Sequence, residues 1–143
     1  MSYSASSEID VEMSDKRKVS VFMGEDGTKY ILALMEPFQP EVKINDVSMG
    51  LYKMENMFSF PVVKDYKIEL DPRMPGMDNH SSPNNEDLIY SSEDQIYRGK
   101  LSLTMTGYWV LNLRLLDASG SLVKGEVIDE NNPKSSLFLE LEF

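Results

Sequence analysis

Met74, Met77 and His80 recur every third position in the run Asp71-Pro72-Arg73-Met74-Pro75-Gly76-Met77-Asp78-Asn79-His80. Two thioethers and an imidazole at that spacing form a soft ligand set. Thioether sulfur is polarizable and uncharged and, among physiological ions, favours Cu(I); imidazole accepts Cu(I) or Cu(II). The three side chains would give a three-coordinate Cu(I) site, and Asp71 or Asp78 would add an oxygen for Cu(II). A closed zinc site does not fit, because it draws its four ligands mainly from Cys and His, and this chain has one histidine and no cysteine. The bland alternative is that Met74 and Met77 fold over the end of the core as adaptable fillers and that His80 caps a turn.

Other chemistries find less support. Nucleophilic catalysis needs a nucleophile, a base and a group that orients the base; His80 is the lone histidine, and Ser81 and Ser82 lie on no recognisable elbow. No glycine-rich phosphate loop is present, so a non-enzymatic role is expected. The formal net charge of -10 disfavours nucleic acid, whose binding depends on clustered Lys and Arg, and it opposes adsorption to anionic membranes. No apolar run is long enough to span a bilayer. The polar, acidic start, Ser2-Tyr3-Ser4-Ala5-Ser6-Ser7-Glu8, is not a secretory signal, which leaves export followed by trimming open. Asn79-His80-Ser81 fits a glycosylation acceptor pattern, meaningful only in a glycosylating host.

The elements that must position the ligand run read as short strands. Residues 1–15 are polar and Ser-rich and predict a flexible lead-in; residues 16–143 form one domain. Val19–Met23 and Lys29–Met35 flank the turn signal Gly24-Glu25-Asp26-Gly27, which predicts an antiparallel hairpin. Val47, Met49 and Leu51 alternate with polar or small residues, as do Tyr66, Ile68 and Leu70. The run from Arg73 to Asn85, broken by prolines, predicts a loop that is neither strand nor helix. Glu86–Gln95 reads as a polar surface connection. Leu101, Leu103 and Met105 share one parity, and so do Trp109, Leu111, Leu113 and Leu115, with Asn112 and Arg114 facing out. That parity favours core packing for Met105 over a place as an extra ligand, and it makes Trp109 the core centrepiece. It is satisfied equally by a hairpin through Thr106-Gly107-Tyr108 and by a crossover between facing sheets. Leu122–Ile128 reads as a weak strand, and Leu137, Leu139, Leu141 and Phe143 close the domain. About seven or eight strands with no helical period predict an all-β sandwich.

Several of these pieces taken together resemble the YtkA-like domain family, which is related to the periplasmic part of FixH-type proteins. They are Pro72-Arg73-Met74-Pro75-Gly76-Met77, His80-Ser81-Ser82-Pro83-Asn84-Asn85, Tyr97-Arg98-Gly99-Lys100, Thr104-Met105-Thr106-Gly107-Tyr108-Trp109 and the closing Ser135–Phe143 run. The likeness covers roughly Val19 to Phe143 and is nearest to the versions in envelope lipoproteins of the Bacteroidetes. It implies an immunoglobulin-like β-sandwich, export to the periplasm or cell surface, and a lipid anchor or further domain upstream. It also implies copper handling, with a copper donor or acceptor protein of the envelope as partner. In the family pattern the histidine follows the second methionine more closely; here Asp78-Asn79 stands between them. The expectation is a domain that binds or passes copper through Met74, Met77 and His80. The competing expectation is a structural or protein-interaction module of the envelope with no metal role.

Overall fold

A computed structural model describes residues 17–143; the flexible lead-in expected over Met1–Asp15 lies outside the described residues. The fold is all-β, as the alternation predicts. Among the described residues it has ten strands rather than seven or eight: β1 (Val19–Met23), β2 (Lys29–Glu36), β3 (Ile44–Lys53), β4 (Lys67–Met74), β5 (His80–Ser81), β6 (Glu86–Ser91), β7 (Ile96–Ser102), β8 (Tyr108–Leu116), β9 (Leu122–Lys124) and β10 (Leu137–Glu142). Every pairing is antiparallel, in the order β1-β2-β3-β7-β6-β4-β8-β10, with β5 on β4 and β9 on β8. The sheet rolls until its ends approach: the Glu140 N–H of β10 donates to the Arg17 carbonyl, just ahead of β1, at 2.8 Å. One core fills the interior, with Trp109, Tyr30 and Tyr97 as its largest fully buried side chains.

The β1–β2 hairpin forms as expected, with Val21 opposite Ile31. Between β7 and β8 the chain crosses over instead of making a hairpin. β7 pairs with β3 and β6, whereas β8 pairs with β4 and β10. This settles the parity question and brings the 103–107 corner to the end of the roll where β4 finishes. The weak strand expected over Leu122–Ile128 shrinks to β9.

Three other expectations change for physical reasons. Glu86–Ser91 is a strand, not a connection; its one fully buried residue, Leu88, is too isolated among polar neighbours to show a period. The strand expected to end at Leu70 continues to Met74. Ile68, Leu70, Pro72 and Met74 all face inward, with Pro72 opposite Leu111 on β8. Pro72 is tolerated because β6 pairs with β4 only at Lys67 and Ile68. Beyond that point the Leu70 N–H turns to the Asp87 side chain instead (3.0 Å), so the ladder on that edge needs no donor from residue 72.

The third change is Asn112, which faces away from the core as expected yet is buried, at 2% exposure. The segment leading into β10 covers it. Its Oδ1 accepts the Ser135 N–H at 2.9 Å and its Nδ2 donates to the Asp71 carbonyl at 3.2 Å. Ser135 Oγ in turn donates to the Leu113 carbonyl at 2.8 Å. Asn112→Ala leaves the Ser135 N–H without its acceptor in a buried place. The expected loss is about 1–3 kcal/mol in a urea titration; a midpoint within error of wild type would show that the covering segment does not depend on this contact.

Candidate metal site

The candidate site lies at the rim where β4 ends. Met74 is the last inward residue of β4, and Pro75–Met77 form a single 3-10 turn. Proline suits that start, since its ring presets φ and its missing N–H is not needed there. Asp78 and Asn79 then both take left-handed backbone, each with φ 55°, a conformation that short polar side chains tolerate better than most. The two left-handed residues reverse the chain, so that β5 pairs back on β4 with His80 opposite Met74 and Ser81 opposite Arg73. The run expected to be a loop is therefore a β-hairpin. The two residues that separate Met77 from His80 are the ones that turn it.

Arg73 braces the hairpin. Its Nε and Nη2 donate to the two carboxylate oxygens of Asp71 at 2.8 and 3.2 Å, and its Nη1 donates to the Asn79 carbonyl at 3.4 Å. Such a two-point contact fixes geometry as well as charge. Asn79 Nδ2 reaches the Pro133 carbonyl at 3.3 Å, tying the turn to the segment that covers Asn112.

Met74 and Met77 line one open cleft of about 510 Å³, together with Gly76, Met105, Thr106, Gly107 and Tyr108. Met74 is buried at 4% exposure, while Met77 is 53% exposed. One sulfur-bearing side chain thus belongs to both core and cleft, and the other to cleft and solvent. His80 does not line the cleft. It is exposed, its Nε2 shares a hydrogen bond with Thr104 Oγ1 at 3.1 Å, and its ring stands 6.2 Å from that of Trp109. The two expected methionines line one cleft, and the imidazole stands outside that lining, bonded to Thr104 of the same corner.

Met105 departs from its expected place. β7 ends at Ser102, Leu103 completes the buried run, and Met105 sits on the corner at 36% exposure, on the cleft. The alternation that placed it in the core had already stopped two residues earlier. The corner is well held. The Trp109 Nε1–H donates to the Met105 carbonyl at 3.1 Å. Gly107 and Phe143 exchange backbone bonds at 3.0 and 3.3 Å, and the Leu103 N–H donates to the Lys43 carbonyl at 3.0 Å. Gly107 has φ +135°, and a Cβ there would stand 2.9 Å from Met74 Cε, so glycine serves both the backbone and the cleft wall.

Tyr108 closes the cleft from β8. Its hydroxyl donates to Glu140 Oε2. Burial, with the Glu140 carboxylate accepting its proton in a hydrogen bond, pushes the phenol up to about 12; it stays neutral through the physiological range. The lining of the cleft is therefore apolar or neutral. Among the described residues no three His, Asp or Glu side chains gather as a hard-ligand cluster.

Met105 carries the same thioether signal as Met74 and Met77, whereas Gly107 and Tyr108 carry no signal of Cu(I) ligation by type. Only the unbroken run Thr104-Met105-Thr106-Gly107-Tyr108-Trp109 marks them as a corner. Comparison of the chain with known protein families, characterised proteins and solved structures finds no match.

Proposed function

We propose that this is an exported, non-enzymatic binding domain of the YtkA-like type that holds Cu(I) at the Met74–Met77 hairpin and passes it to or from a partner protein of the cell envelope. One observation supports the reading above the rest: Met74 and Met77, from opposite ends of the 3-10 turn, face one cleft with neutral walls. Thioethers discriminate for Cu(I) by softness. A cleft that is half open, with one buried and one exposed methionine, suits a metal that must also leave. His80 stands at the flank of the cleft, where an imidazole would meet a metal on its way in or out.

The test is a titration of the full chain with Cu(I) under reducing conditions, against a competing chelator, following the methionine methyl resonances. Uptake of one equivalent is expected in the native chain. A Met74→Leu, Met77→Leu double variant, which keeps volume and removes sulfur, is expected to lose it. Equal uptake by the two proteins would refute the reading.

The competing reading, a protein-interaction module with no metal role, is favoured by a different feature. The turn closed by the Asn56–Ser59 bridge presents Met57 at 82% and Phe58 at 91% exposure. The Phe58 N–H donates to Asn56 Oδ1 at 2.7 Å, so the turn is built to hold these side chains in water. Failure of Cu(I) uptake, with the fold intact, would favour this reading.

A further inference from the structure

We infer that the third metal ligand is Met105, not His80, so that the site is an all-thioether set built from two segments far apart in sequence. This inference rests on the Cu(I) reading above and specifies its ligands.

Three observations carry it. First, the cleft is lined by three methionines, Met74, Met77 and Met105, and by no imidazole or carboxylate. Second, the Met105 side chain is displayed rather than packed away: it is 36% exposed in a corner whose backbone is tied to Trp109, Phe143 and Lys43. A ligand on a pre-fixed backbone gives up little freedom on binding, so less of the metal's binding free energy is spent on ordering. Third, His80 lies outside the lining of the cleft. Its Nε2 is engaged with Thr104 Oγ1, and its ring lies against Trp109. Thr104 is the residue before Met105, so His80 holds the corner that presents the thioether. It acts as a positioning residue, and its loss moves the ligand without removing one.

The chemistry that follows differs from that of a Met-Met-His site. Three neutral sulfurs match monovalent Cu(I) or Ag(I), while Cu(II) and Zn(II) find neither the nitrogen nor the carboxylate oxygen they prefer. Ag(I) is therefore a faithful, air-stable probe of the site. Met74 is buried and lines the cleft, while Met77 and Met105 line it from two separate segments and are partly exposed.

The experiment titrates the full chain with Ag(I), and with Cu(I) under reducing conditions, and follows the assigned ε-methyl resonances of Met74, Met77 and Met105. Three variants accompany it: Met105→Leu, Met77→Leu and His80→Asn. All three positions are exposed or partly so, and thermal unfolding midpoints near wild type confirm that each variant folds. All three methyls are expected to shift with one equivalent of metal. Met105→Leu is expected to weaken Ag(I) at least tenfold, about as much as Met77→Leu, while His80→Asn changes affinity by less than about threefold. Cu(II) is expected to leave the three methyls unmoved. Ag(I) uptake with an unshifted Met105 methyl, or with Met105→Leu binding as wild type, overturns the ligand assignment and leaves the Cu(I) reading standing. A His80→Asn loss as large as that of Met77→Leu does the same in favour of the imidazole. No uptake of Ag(I) or Cu(I) by wild type overturns both.

Discussion

Trp109→Ala will lower the stability of the domain by about 3–5 kcal/mol, the range found when a large buried aromatic is truncated, seen as a fall in the urea midpoint with little change in slope. The side chain is fully buried on β8, the strand that pairs with β4 on one side and β10 on the other. No neighbour can collapse into the space without disturbing one of those pairings. The indole also reaches beyond the core, since its Nε1–H holds the Met105 carbonyl and its ring meets that of His80. Trp109→Phe separates the two roles. It keeps an aromatic body in the core and removes the donor, so the cost falls to about 1–3 kcal/mol. The resonances of Met105 and Thr104 should broaden or shift in that variant before any metal is added, because the corner has lost one of its ties. If Trp109→Ala lies within about 1 kcal/mol of wild type, the core does not depend on this residue. If Trp109→Phe leaves the corner resonances in place, the indole donor does not position Met105.

How far this arrangement could be read from the sequence depended on whether burial followed a period. β1, β2, β8 and β10 alternate cleanly or run apolar between turn signals, and they stand where the pattern puts them. β4 was legible only to Leu70. Pro72 reads as a breaker in any local rule, and only the short pairing of β4 with β6, a tertiary fact, makes it acceptable in a strand. The same blind spot hid Met74 as the last inward residue of that strand. Asn112 is polar at an outward position, and nothing in the sequence says that Ser135 will come back to cover it. Met105 went wrong in the opposite sense. Its parity with Leu101 and Leu103 continued one step beyond the strand, and parity carries no information about where pairing stops. At the site itself, the spacing of Met74, Met77 and His80 was visible as soft-ligand chemistry. The pair Asp78-Asn79 sets His80 farther from Met77 than the family pattern does. In the fold it is the reversal that pairs His80 with Met74, and the imidazole stands outside the cleft that Met105 helps to line.

The cover over Asn112 and the tie from the hairpin turn both come from the segment between β9 and β10, and at Gly125 that segment lies close against β8. Gly125 has φ +107°, and a Cβ there would stand 2.2 Å from the Leu113 carbonyl oxygen and 2.9 Å from Arg114 Cα. Both obstacles are backbone in the middle of a paired strand, so neither can swing aside as a side-chain tip would. Gly125→Ala therefore meets two penalties together. The backbone conformation disfavours any side chain, at about 1–3 kcal/mol, and the clash forces the segment away from β8, at about 1–3 kcal/mol more. The expected loss is about 3 kcal/mol or more, which for a domain of this size is a fall in Tm of roughly 10 °C. The displacement should also be felt at a distance, since the Ser135 hydroxyl contacts the same Leu113 carbonyl; amide exchange at Ser135 and Glu126 should quicken. Gly76→Ala is the matched control. Gly76 lies in the 3-10 turn with nothing within 4 Å of an added Cβ, so the same change should be neutral or stabilising by a few tenths of a kcal/mol, because alanine restricts the unfolded chain. A Gly125→Ala midpoint as high as that of Gly76→Ala would mean that the segment does not lie against β8, and the cover over Asn112 and the tie from Asn79 to Pro133 would have to be abandoned with it.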